Sequence, residues 1–310
     1  MPALRPDRLL ILHHGALGDL LCAWPALAAL ARHFAGAQRY ALVRPAHHFL
    51  IRPLGYLPCP DELRGAEDAF HGTIPPPDDT AMFRFCLDKL PAHIPQGAHC
   101  LAALSDEPMP VSHALLARLQ NLGLQVPDME DCLTHFRELF GGWKGQESRL
   151  AGILPGSGHR AKNWPPERFA ETARELAREG RQPVQLLGPV EQERNIRLPD
   201  VPARCPQDVA ELADMLAQMR FVFGNDSGPL HLAAWLGVPC AALFGPSDAR
   251  RWGPPCARIL SSPLPCAPCT RDMRSLDCPR PECMDALGTD QVLHALRTLV
   301  RESSPVRTGL

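Results

Sequence analysis

Several features that would assign this chain to a class at once are missing from its sequence. Net charge is almost absent: 32 basic residues against 34 acidic ones give a formal −2, so no global field draws it to nucleic acid. Long hydrophobic runs are also lacking, since the longest, Leu20 to Ala31, is short for a bilayer span and is interrupted by Pro25. The opening MPALRPDRLLIL runs into a plausible strand without a signal-peptide cleavage pattern, which favours a cytoplasmic location. No repeat of short period is visible. Twelve cysteines are too few to scaffold 310 residues with disulfides, and several suit burial as small apolar side chains.

What remains is the composition of a soluble globular protein, 45% hydrophobic and 21% charged, long enough for two domains with separate cores. Its 34 prolines mark loop boundaries and argue against long uninterrupted helices. The run RLLIL (8–12) reads as a strand, HHGALGD as a Gly-containing turn, and Leu20, Trp24, Leu27, Ala31 and Phe34 as a helix face that Pro25 either delays or kinks. A strand is expected over Tyr40–Val43. Residues 53–112 show only weak periodicity. Helices are expected near 112–122 and 129–140, and GGWKGQESR (141–149) reads as a linker.

The second half repeats the opening arrangement. Gly152–Leu154 starts a strand, PGSGHRAKNWP forms a loop, and 166–179 is an amphipathic helix with Pro166 near its first turn and Gly180 at its stop. Strands Val184–Leu187, Phe221–Phe223 and Cys240–Phe244 alternate with helices on Val209, Leu212, Leu216 and Met219 and over 229–236. Alternation with short turns predicts an α/β protein of two Rossmann-like, doubly wound domains facing a central cleft. The expected division is 1–148, 149–288, and a C-terminal helix and tail over 289–310.

Ligands of open α/β sheets bind beyond the carboxyl ends of the strands, where helix N-termini suit phosphate. In VFGNDSGPLH, Ser227 can cap, Gly228 allows close approach and Pro229 suits a first helical turn. Asp226 needs another reason, because an acid beside a phosphate site repels the anion. Accepting hydrogen bonds from sugar hydroxyls is such a reason. In PGSGHRAK, Gly156, Ser157 and Gly158 permit backbone approach, and Lys162 offers a point charge to a diphosphate, without the spacing of a P-loop. Asp19, at the mouth of the first strand, is either a helix cap or a general base.

Three separated segments together resemble the bacterial heptosyltransferase family, inverting glycosyltransferases of the GT-B fold that build the lipopolysaccharide inner core. GALGDLLCAWPAL is similar to that family's opening, LPGSGHRAKNWPPERF to its donor loop, and VFGNDSGPLHLAAWLGVPCAALFGPSD to its Asp-(Ser/Thr)-Gly-x-x-His motif with the following Gly-Pro-(Ser/Thr)-Asp. Residues 50–145 match nothing recognisable. The resemblance implies that Asp19 is the base for the acceptor hydroxyl. Lys162 and the backbone around Ser157 and Gly158 would hold the donor diphosphate. Glu191 would accept from the ribose, Asp226 would bind the sugar, and Ser227, Gly228 and His231 would line the phosphate side. For His231, the role of an ordinary helix histidine stays open. His13 departs from the family, which often has Arg at that position.

The implied activity is heptose transfer from ADP-heptose to a lipid A-core-type acceptor, with no nucleic-acid partner, no cofactor in the chemical step, and at most peripheral contact with the inner membrane. A relative using another sugar nucleotide, a sugar-nucleotide epimerase and a non-catalytic binder are the rivals. Cys266, Cys269, Cys278 and Cys283 are spaced so that they could hold a structural zinc, with free thiols or a pair of disulfides as alternatives.

Overall fold

The computed structural model describes residues 6–303 apart from 272, 274, 275, 277 and 279–281. The chain forms two compact units, the first running to Cys132 and the second starting at Leu133.

In the first unit, β1 (Arg8–His13) leads to α1 (Leu17–His33), and β2 (Gln38–Val43), β3 (Tyr56–Pro58), α2 (Asp61–Arg64), β4 (Thr80–Cys86), β5 (Ala98–Ala102) and α3 (Val111–Asn121) follow. The strands form one parallel sheet in the order β3-β2-β1-β4-β5. β1 is central and apolar from Leu9 to Leu12, as a strand covered on both faces must be. α1 runs unbroken through Pro25, which costs it one N–H bond but neither delays its start nor ends it. Residues 53–112 hide β4 and β5. Their periodicity is weak because Arg84 and His99 interrupt short strands whose burial is set by sheet position rather than alternation. Leu10, Leu12, Leu63, Phe70 and Met82 form the core on one face.

α4 (Met129–Phe140) carries the chain into the second unit. There β6 (Leu150–Leu154), α5 (Pro166–Arg178), β7 (Gln182–Leu186), α6 (Pro189–Glu193), β8 (Ala203–Arg204), α7 (Val209–Ala217), β9 (Phe221–Asn225), α8 (Gly228–Trp235), β10 (Cys240–Phe244), α9 (Ala249–Trp252), β11 (Arg258–Ser261) and α10 (Thr289–Glu302) follow. The parallel sheet order is β11-β10-β9-β6-β7-β8. Trp164, Phe169, Phe221 and Phe223 are buried in its core, and burial of each such side chain contributes about 2–3 kcal/mol.

The units meet earlier in the chain than the boundary after residue 148. The reason lies in the apolar end of α4 and the stretch after it. The Phe136 ring packs at a tilt against Trp235, centroids 5.2 Å apart, and against Phe140, 4.5 Å apart. The Gly-rich stretch 141–149 is docked rather than free: Trp143 Nε1 donates to Met219 O at 2.8 Å and Lys144 N to Ala217 O at 2.8 Å. α10 likewise belongs to the second unit, where Val292 and Leu296 join the core and Arg297 Nε donates to Glu179 at 2.8 Å. Residues 304–310 of the expected tail lie outside the described residues. Among the described residues, no helix is long and apolar enough to cross a membrane.

Candidate functional site

Each sheet reverses its strand order once, and the motif residues gather at the two reversals. In the first unit the chain steps from β1 outward to β2 and β3, then returns to β4 on the other side of β1. In the second it steps from β6 to β7 and β8, then returns to β9 on the other side of β6. At such points the loops leaving neighbouring strands diverge and open a crevice at the carboxyl ends.

In the first unit His13 ends β1, Gly15 lies in the turn that follows, and Asp19 stands in the first turn of α1. Asp19 is the third residue of α1, and its Oδ2 accepts the backbone N–H of Ala16 at 2.7 Å, satisfying a helix-start donor. The cap role weighed for this carboxylate is therefore real, and the side chain stays half-exposed. Gly15 is required by contact. A Cβ there would lie 2.6 Å from Asp19 Cβ and 2.8 Å from His13 Cε1. His13 is buried, and burial pushes its pKa down to about 4 against the opposing pull of Asp19. His47, on the 3₁₀ turn Pro45–Leu50, is also held below the usual histidine value, by burial first and then by Arg44. Next to them, His14 Nε2 lies 2.8 Å from Glu67 Oε2.

In the second unit, Lys162 leaves the loop after β6 and Asp226 follows β9. Their side chains meet: Lys162 Nζ lies 3.0 Å from Asp226 Oδ2, with 15% and 8% of the two side chains exposed. Ser247 Oγ donates to the same oxygen at 2.9 Å. Lys162 is thus bound to an acid of its own chain rather than held out as an isolated point charge.

The Gly-rich loop is braced from three directions. Asn225, wholly buried, accepts from Trp164 N at 2.8 Å and donates to Pro155 O at 2.7 Å, which ties both ends of the loop to β9. Ser157 Oγ bonds inward, to His159 O at 2.8 Å and Asn163 Oδ1 at 2.6 Å. Arg194, at the end of α6, donates to Ser157 O and Gly158 O, both at 3.1 Å. A Cβ on Gly158 would meet nothing within 4 Å, so open space lies above it.

Glu191 caps α6 by accepting Gly188 N at 2.8 Å. Its other oxygen lies where a Cβ on Gly156 would be, 2.0 Å away, so this glycine is also required by contact. The carboxylate expected to accept from a ribose is therefore packed against the Gly-rich loop. Ser227 occupies the N-cap position of α8, but its hydroxyl makes no cap bond. That corrects the expected cap, since the hydroxyl is buried without a hydrogen-bond partner among the described residues. Gly228 opens the helix, and His231 is buried in it with its N–H on Ser227 O at 3.2 Å.

Asn225, Arg194 and Ser247 escaped the sequence reading. Asn225 stood beside the motif acid and Ser247 inside Gly-Pro-Ser-Asp, so local signals existed for both; nothing around Arg194 gave one. Of the cysteine cluster, Cys266, Cys269 and Cys278 are exposed and Cys283 is buried, all four as free thiols. Burial and then the neighbouring cysteines push the Cys269 and Cys283 thiols above their ordinary pKa. Among the described residues no group of three or more metal-ligating side chains is placed to hold a metal ion.

The family model "Glycosyltransferase family 9 (heptosyltransferase)" matches residues 112–279, more than half of the chain. Lipooligosaccharide heptosyltransferase 2 of Campylobacter jejuni is 26% identical over 170 residues, which cover 50% of this chain and 52% of that protein. The chain thus spans about half the length of that curated relative. Among solved structures, the glycosyl transferase family 9 protein of Veillonella parvula superposes with a TM-score of 0.68 at 18% identity, covering 96% of this chain and 98% of that one. The E. coli heptosyltransferase WaaC with ADP-2-deoxy-2-fluoro heptose gives 0.64 at 17% identity, covering 94% and 99%. These likenesses extend over both units and show the fold, two parallel-sheet α/β domains of the GT-B kind.

Proposed function

We propose, for a chain that belongs to glycosyltransferase family 9, the heptosyltransferases, that it transfers heptose from ADP-heptose to a lipopolysaccharide inner-core acceptor with inversion at the anomeric carbon. The observation that carries this reading is the pairing of Lys162 with Asp226 at the strand reversal of the second unit, beside a braced Gly-rich loop and a helix start. That arrangement offers a nucleotide sugar a cation for its diphosphate and a carboxylate for its sugar within one hydrogen bond of each other.

In this reading Asp19 removes the proton from an acceptor hydroxyl as its oxygen attacks the anomeric carbon. The bond from that carbon to the diphosphate oxygen breaks, and ADP leaves. Charge growing on the leaving group is met by Lys162, by the backbone of Ser157 and Gly158, and by the α8 start at Ser227 and Gly228, with His231 behind it. Such groups stabilise a developing anion without reorganising, and no metal enters the step. Glu191 accepts from the ribose, and Asp226 holds sugar hydroxyls from its bond with Lys162. The ADP-heptose analogue named with the E. coli structure supports this choice of donor. Contact with a lipid-linked acceptor would be peripheral to the inner membrane, at the cytoplasmic side.

Isothermal calorimetry and product analysis test the reading together. ADP-heptose should bind at least about 10-fold more tightly than a UDP-sugar, a difference of about 1.4 kcal/mol, and incubation with core acceptor should give ADP and a heptosylated product. Preference for the UDP-sugar would change the donor, and conversion of donor without acceptor would make the protein an epimerase. The cysteine cluster is read by elemental analysis of the same sample. About one equivalent of zinc, with chelation lowering Tm, would establish a structural site at these cysteines, and titratable free thiols without metal would remove it.

A further inference from the structure

The tip of the Gly-rich loop is held by one side chain, and that hold has a direction. Arg194 Nη1 donates to Ser157 O and Nη2 to Gly158 O, both at 3.1 Å, so one planar guanidinium takes two consecutive carbonyls. The other braces lie elsewhere: Asn225 ties Pro155 and Trp164, and Ser157 Oγ reaches His159 O and Asn163. Among the described residues no second donor reaches either carbonyl. A trans peptide unit points its N–H opposite to its C=O, and both units here are trans. With the two carbonyls drawn to Arg194, the N–H groups of Gly158 and His159 face away from it. Neither N–H has an acceptor among the described residues, and a Cβ on Gly158 would meet nothing within 4 Å. Free backbone N–H groups fixed in one direction suit an anion and need not reorganise to meet it.

We propose that Arg194 is a positioning residue for the transfer reaction: by holding the Ser157 and Gly158 carbonyls, it aims the N–H groups of Gly158 and His159 at the diphosphate of the nucleotide donor. This rests on the reading of the loop as the diphosphate site. Arg194 acts through the backbone, with both terminal nitrogens turned to carbonyls. His159 joins the site through its main chain alone, because its Nδ1 is engaged by Ala161 N at 3.2 Å. Lys162, further along the same loop, brings the cation, and the two N–H groups bring direction. The fork is what the geometry requires of position 194. If charge were all that mattered, lysine would serve there equally well; a single point charge cannot hold two carbonyls in a fixed plane.

The test follows the Gly158 and His159 amide signals in the full chain labelled with ¹⁵N. ADP, adenosine and inorganic pyrophosphate are the probes, and calorimetry gives the affinities. In wild type both amides should move with ADP and with pyrophosphate, and stay in place with adenosine. Arg194→Ala should bind ADP about 10-fold more weakly, as when a hydrogen bond to a charged group is lost, while adenosine affinity stays within about twofold of wild type. Arg194→Lys should remain at least about 3-fold weaker for ADP. Amides that stay in place with both phosphates, or an Arg194→Ala protein that binds ADP as wild type does, overturn the proposal. Equal losses for ADP and adenosine also overturn it, by making Arg194 a support of the fold alone. Full rescue by lysine does the same, by leaving only charge. Where the alanine variant misfolds, the wild-type titration and the lysine variant decide. Pyrophosphate binding at the two amides without ADP binding would sink the nucleotide reading and leave the positioning role standing.

Discussion

Two aspartates occupy equivalent places, each just past a strand at the reversal of a parallel sheet, and their surroundings could hardly differ more. Asp19 is half-exposed and accepts one neutral backbone N–H, from Ala16. Asp226 is buried and takes both the Lys162 ammonium and the Ser247 hydroxyl on one oxygen. A lightly held carboxylate that reaches solvent is open to an incoming group. One fixed by a cation in a buried setting is an acceptor of hydrogen bonds and a partner in a charge pair. Residue type and topological position therefore leave the role undecided, and the partners decide it.

The sharpest way to break this comparison is at Asp19. Asp19→Asn keeps an oxygen for Ala16 N, so the helix start and ADP-heptose affinity should survive. Turnover at saturating substrate should fall about 100-fold or more, the contribution of a positioned general base. Near-normal turnover would leave Asp19 as a cap alone.

Lys162→Ala tests the other member. It leaves Asp226 buried beside only a hydroxyl, and unfolding in urea should show a loss of about 2–3 kcal/mol. That is less than for a fully enclosed pair, because Lys162 keeps 15% of its side chain in solvent. ADP affinity should fall in parallel. A variant as stable as wild type, with ADP affinity intact, would show that the pair supports neither the fold nor the diphosphate.

The smallest effect belongs to Ser247→Ala, which removes one neutral donor from a carboxylate that retains its cation. A stability loss of about 1 kcal/mol is expected. On the proposed reading of Asp226 as the sugar-binding acid, ADP-heptose binding should weaken more than ADP binding, because the hydroxyl bonds that carboxylate. Calorimetry with both ligands separates these, and equal losses would move Ser247 to the supporting structure of the loop.

Much of the fold was legible because β1, β6, β9 and β10 are short apolar runs followed by Gly-containing turns, and α5 has a clear amphipathic period between Pro166 and Gly180. β4 and β5 were not legible, since Arg84 and His99 blur strands that are set by pairing in the sheet, β4 on β1 and β5 on β4. The docking of residues 141–149 was equally hidden, because Trp143 and Lys144 look like a polar linker until Met219 O and Ala217 O are placed beside them.

At the candidate sites, sequence alone determined which residue types stand at the strand ends: Asp19 after β1, Lys162 after β6, Asp226 and Ser227 after β9. Local spacing suffices for that, since each is within one turn or loop of its strand. Only the tertiary structure decided which of them meet. Lys162 and Asp226 come from loops of strands that are neighbours in space and far apart in the chain, as do Arg194 and the carbonyls it braces, and His13 and His47 around Asp19. Hydrogen bonds and charge act over a few ångströms of space, whatever the separation along the sequence, and parallel strand order is what converts one distance into the other.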